Sequence, residues 1–209
     1  MGQYYEVMVV KEGNLIHLDR SVKGGTYIGA KLMEHSWCYN TFCDAVTSML
    51  MDSPARIIWM GDYADDDKRM TDGYIQAFIE SMNEGTLNQI KKTTEQSDPY
   101  LALYKYMMKD EGTSLPQANV DYDTLYLVNN TKQEYIVMRE YMKATDNDGW
   151  NAYPLSILTS LGNGQGGGDY YGLNSDMAGY WAGDEVYFSK TKPEGYIQCD
   201  LEDYKFIEE

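Results

Sequence analysis

The side chains best suited to chemistry are four aspartates set beside glycines and aromatic residues. Asp62 and Asp65 lie in Gly61-Asp62-Tyr63-Ala64-Asp65, Asp169 follows the glycine-rich run 162–168, and Asp184 ends Trp181-Ala182-Gly183-Asp184. Carboxylate oxygens are hard donors, so the four together would suit Mg or another divalent cation. Such an ion would let a glycine-rich loop hold phosphate on its backbone N–H groups despite the neighbouring Asp169. On that chemistry the chain is a metal-dependent hydrolase or phosphotransferase acting on a nucleotide or similar anion. The same residues carry a second reading, because aspartate beside glycine also builds turns and leaves an electronegative loop surface. Tyr63, Gly164, Gly167, Tyr170, Tyr171, Tyr180 and Trp181 stand among these acids. Aromatic anchors ringed by charge are what protein interfaces use.

Other motifs fail on their context. Gly162, Gly164 and Gly167 match the spacing of a dinucleotide fingerprint, but Gly168-Asp169-Tyr170-Tyr171-Gly172 reads as loop where that fingerprint needs a helix to open. No Gly-Lys-Ser or Gly-Lys-Thr follows, which excludes a Walker-type phosphate loop. Aligning Gly149 of Asp146-Asn147-Asp148-Gly149 with the central glycine of a calcium loop puts Ala144 first and Leu155 last, so an EF-hand is rejected. His17 and His35 lack partners at zinc spacing. A nucleophile pair of Cys38 or Cys43 with His35 ranks below the metal hypothesis, since closeness in sequence does not make triad geometry.

Charge narrows the partner. With 33 acidic and 17 basic residues the formal charge is -16, which opposes direct binding to nucleic acid. Residues 144–189 hold no Lys or Arg yet carry several aspartates. That stretch suits cations or a basic protein surface, including one that normally holds nucleic acid. The favoured expectation is therefore a non-enzymatic interaction protein. Three cysteines do not make a disulfide framework, which points to reduced thiols and a cytoplasmic setting. No apolar run approaches a membrane span.

The elements that must position these residues follow from hydrophobic period and turn chemistry. Residues 4–10 and 15–18 read as strands of a hairpin turning at Glu12, Gly13 and Asn14. Phe42, Val46, Met49 and Leu50 predict a helix from Asn40, stopped by Pro54. Residues 56–60 predict a buried strand that delivers Asp62, Tyr63 and Asp65 to a sheet edge. A second helix is expected over 74–82, capped by Thr71 or Asp72 and ended by Gly85. Residues 86–97 are polar and weakly patterned, so a flexible surface loop is expected there, one whose deletion costs little. A helix is expected over 99–108 and a hairpin from 125–128 and 135–138. Strands are expected over 155–161, 186–189 and 195–199, with loop over 162–172. These make one α+β domain with a mixed or antiparallel sheet and two or three helices.

Several blocks carry a resemblance: Met1-Gly2-Gln3-Tyr4-Tyr5, Lys31-Leu32-Met33-Glu34-His35-Ser36-Trp37, Gly61-Asp62-Tyr63-Ala64-Asp65, the 162–169 loop and Trp181-Ala182-Gly183-Asp184. In this combination the chain resembles an uncharacterised family scattered through bacteria, their phages and some fungi. The resemblance implies a mobile-element protein that acts on host machinery. It supplies no catalytic residue or cofactor.

Overall fold

A computed structural model describes residues 3–23, 31–68, 73–109, 111–144, 151–162 and 177–200. Its centre is a mixed nine-stranded sheet. The first strands, β1 (Tyr5–Lys11) and β2 (Asn14–Val22), form the expected antiparallel hairpin. Glu12 and Gly13 turn it with positive φ of 52° and 77°. That pair of angles matches the right-handed twist of the flanking strands. β3 (Ala55–Gly61) pairs antiparallel with β1, as the expected strand should. Beyond it lie β8 (Glu185–Ser189), β5 (Tyr126–Asn129), β6 (Glu134–Val137) and β9 (Ile197–Gln198). β4 (Thr113–Leu115) closes the other edge beside β2, and the two-residue β7 (Ser160–Leu161) runs parallel to β3. The order is β4-β2-β1-β3-β8-β5-β6-β9, with β7 as a branch.

Helices cover both faces of this sheet, and strand alternation divides the core between them. Tyr5, Val7 and Val9 of β1, with Ile57 and Trp59 of β3, face α2 (Thr41–Met49), α6 (Met138–Ala144) and α7 (Pro154–Leu158). Met8 and Val10, with Ile58 and Met60, face α3 (Gln76–Glu80), α4 (Glu84–Thr94) and α5 (Pro99–Met107). With α1 (Leu32–His35), seven helices lie among the described residues, where the sequence reading expected two or three.

Three expectations need correction. Residues 86–97 are mostly the helix α4 and not a loop: Asn83 caps it by accepting the Thr86 N–H at 2.8 Å. Ile90 and Thr94 bury a narrow stripe, with Leu87 packed beside it. The expected strand over 155–161 is a strand only at Ser160 and Leu161. Pro154 starts α7 with its missing N–H at a helix position that needs none. Thr159 and Ser160 then donate back to the Leu155 and Ile157 carbonyls. Finally, α3 is shorter than the expected 74–82 helix, and Gly85 sits inside the first turn of α4 instead of ending its predecessor. Thr71 and Asp72 lie outside the described residues.

Candidate functional site

The sheet face toward α5 runs out of helical cover at one corner. Along β1 the row that faces α5 is apolar at Met8 and Val10 and turns polar at Glu6, while on β2 it passes from Leu15 to His17 and Asp19. α5 ends just there, with Met107 buried and Met108 55% exposed. The result is a cleft of about 320 Å³ lined by Tyr4, Glu6, His17, Asp19, Asp62, Met107, Met108 and Glu111. Four carboxyl groups from four chain segments line it, and neither Lys nor Arg does. Tyr4, half exposed, and Met108 supply apolar walls.

Local bonds hold two of these acids, Asp62 and Asp19. The Asp62 carboxylate accepts the Tyr4 N–H at 3.0 Å, the Asp62 N–H returns a bond to the Tyr4 carbonyl at 2.8 Å, and the Tyr104 hydroxyl donates to the Asp62 carbonyl at 2.8 Å. The preceding Gly61 is needed because Gln3 passes against it. A Cβ at Gly61 or Gly162 would stand 2.5 Å from the buried Gln3 side chain. Asp19 accepts from the Ser21 and Ser114 hydroxyls at 2.5 and 3.1 Å, which joins β2 to β4. The His17 Nε2 lies 3.5 Å from Glu6. Acids held this way do not need to be ordered when a cationic group enters.

The expected aspartates do not gather among the described residues. Asp62 follows the end of β3, and Asp65 is exposed in a 3₁₀ turn over Ala64–Asp66, with Tyr63 half-exposed before it. Asp184 belongs to the other end of that strand: its carbonyl accepts the N–H of Ile57, five residues and roughly 16 Å before Asp62 along the strand. Its carboxylate accepts from Asn129 at 2.8 Å and lies 3.0 Å from the Lys132 Nζ. Among the described residues no group of three His, Cys, Asp or Glu side chains could hold a metal ion. Among the proposed ligands Asp62, Asp65, Asp169 and Asp184, Asp184 therefore stands apart from Asp62 along β3. Asp169, Gly164, Gly167, Tyr170 and Tyr171 lie outside the described residues. The aspartate that meets the start of the glycine run is Asp67, whose carboxylate accepts the Gly162 N–H at 3.0 Å.

Trp181 is one of the expected aromatic anchors. It is fully buried, and Glu134 binds its indole N–H at 3.0 Å and the Tyr180 hydroxyl at 3.1 Å. The Lys132 ammonium sits 4.9 Å from the Tyr180 ring centroid. This cluster ties the β5–β6 hairpin to the chain entering β8. The cysteine reading fares no better. Cys38 and Cys43 are buried, and loss of hydration pushes both thiols up, so neither is a ready thiolate.

The sequence reading found Asp62 and missed Glu6, His17, Asp19 and Glu111. The signal lay in the strand period: a charged residue at Glu6, in the row that Met8 and Val10 make apolar, marks the point where the core stops. No helix among the described residues is long and apolar enough to cross a membrane. No protein-family model matches the chain, and no curated protein or solved structure matches it either.

Proposed function

We propose that this protein is a non-enzymatic acidic interaction module that binds the basic surface of a partner protein, with the cleft between β1, β2 and the end of α5 as its receiving site. The observation that carries this reading is the cleft lining: Glu6, Asp19, Asp62 and Glu111 around Tyr4 and Met108, with His17 beside Glu6 and without a lysine or arginine side chain. An arginine or lysine has the matching form, an aliphatic stem with a cationic head. The stem would lie on Met108 and Tyr4, and the head would reach the carboxylates. The formal charge of -16 steers such a partner from a distance and makes the encounter salt-sensitive. A basic surface that normally holds nucleic acid fits the same chemistry, and a cytoplasmic setting fits the reduced thiols.

The test is an NMR titration of the full chain with a short oligoarginine peptide. The reading expects backbone shifts concentrated at Tyr4, Glu6, His17, Asp62 and Met108, fading as salt is added. Shifts spread evenly over the acidic surface would contradict it.

A further inference from the structure

Tyr39 holds a backbone conformation that a bulky side chain rarely takes, with φ of 68°, while its ring is 57% exposed. The turn over residues 37–40, closed by the Asn40 N–H on the Trp37 carbonyl at 3.1 Å, places it there. Glycine or asparagine is the low-strain choice at that position. The ring meets Tyr122 edge-on, with centroids 5.2 Å apart and planes at 85°. Tyr122 is held from below, because its hydroxyl donates to Asp44 at 2.8 Å and lies 3.3 Å from the Thr47 hydroxyl. On either side of Tyr122 in the chain, Asp121 and Asp123 are exposed, and the Asp121 carboxylate fixes their turn by accepting the Asp123 N–H at 3.2 Å. Loss of hydration pushes the Tyr39 phenol up, and Asp123, Cys38, Asp121 and Asp44 add to it in that order.

An exposed, electron-rich ring fixed in a strained turn, and packed on a tyrosine that two exposed aspartates flank in the chain, fits a planar cation. We propose that Tyr39, with Asp121 and Asp123, is a second docking point that takes an arginine side chain of a partner protein onto the Tyr39 ring. It shares the partner chemistry of the proposed function but not its site. Tyr39 leads into α2, on the sheet face opposite the cleft.

Labelled oligoarginine, and oligolysine of the same length, are titrated by fluorescence anisotropy onto the wild-type chain, Tyr39→Phe, Tyr39→Ala and the cleft double variant Glu6→Gln/Asp62→Asn. Tyr39→Ala is expected to weaken oligoarginine binding roughly two- to fivefold, the size of an exposed cation–π contact, while Tyr39→Phe keeps it. Wild-type affinity in Tyr39→Ala, or Tyr39→Phe as weak as Tyr39→Ala, overturns the inference. An equal deficit with oligolysine overturns the assignment to arginine. Loss in the cleft variant with none in Tyr39→Ala leaves the cleft reading standing alone, and the reverse pattern removes the cleft and keeps Tyr39. A wild-type chain that binds neither peptide overturns both.

Discussion

At the scale of the residue, two side chains are held at a cost that the surrounding structure offsets. Tyr39 in left-handed backbone is the first. Replacing it by Gly or by Ala removes the same ring, so the difference between the two variants reads the backbone alone. Tyr39→Gly should be more stable than Tyr39→Ala by about 1 kcal/mol in urea unfolding, and equal stability would contradict a strained turn. The second is Asp44, 6% exposed under Tyr122. Loss of hydration raises its carboxyl above the ordinary value, against the lowering effect of the bonds from Tyr122, Tyr39 and Val120. A carboxyl raised in the fold binds its proton more tightly there than in the unfolded chain. Its contribution to stability is then fully present below the unfolded value, 3.8, and is lost as pH rises through the folded one. The melting temperature of Asp44→Asn, taken relative to wild type, should therefore increase between about pH 3 and pH 7. A relative decrease over that window would mean that the bonds to Tyr122 and the backbone outweigh burial. Neither feature was legible in the sequence, since left-handed tyrosines and buried aspartates carry no local mark.

At the scale of the element, legibility followed the strength of the periodic signal. The β1–β2 hairpin, β3, α2 and α5 lie close to where their patterns put them, because each presents a dense apolar row to a thick part of the core. α4 escaped because its apolar stripe is only Leu87, Ile90 and Thr94, diluted by polar neighbours. Its marks were the capping residue Asn83 and the terminal Lys91 and Lys92, which complement the helix dipole. Ile90, 3% exposed, anchors this helix. Ile90→Ala should cost about 2 to 4 kcal/mol in chemical unfolding. A cost near zero would restore the view of 86–97 as a dispensable excursion. The α7 segment carries a strand-like pattern because Leu155, Ile157 and Leu158 are all buried, which erases the difference between helix and strand periods. Pro154 was the available cue.

At the scale of the whole molecule, negative charge is in excess and the fold gathers four carboxyl groups of it in the cleft. Self-repulsion among 33 acidic residues set against 17 basic ones should make the chain more stable in moderate salt than in dilute buffer. A melting temperature that falls as salt is added would show that its ion pairs dominate instead. The sequence marked the acidity and one residue of the cleft, Asp62. The convergence of Glu6, Asp19 and Glu111 on it depends on strand pairing across β1, β2 and β3 and on the length of α5, which no local pattern encodes. General acidity alone would also attract a basic peptide, so the decisive comparison holds total charge constant. Oligoarginine affinity is measured for Glu6→Gln/Asp62→Asn and for Glu80→Gln/Glu194→Gln, which removes two exposed acids outside the cleft lining. The cleft account predicts at least a roughly fivefold weaker Kd for the first pair, about 1 kcal/mol, and little change for the second. Equal losses in the two would contradict it.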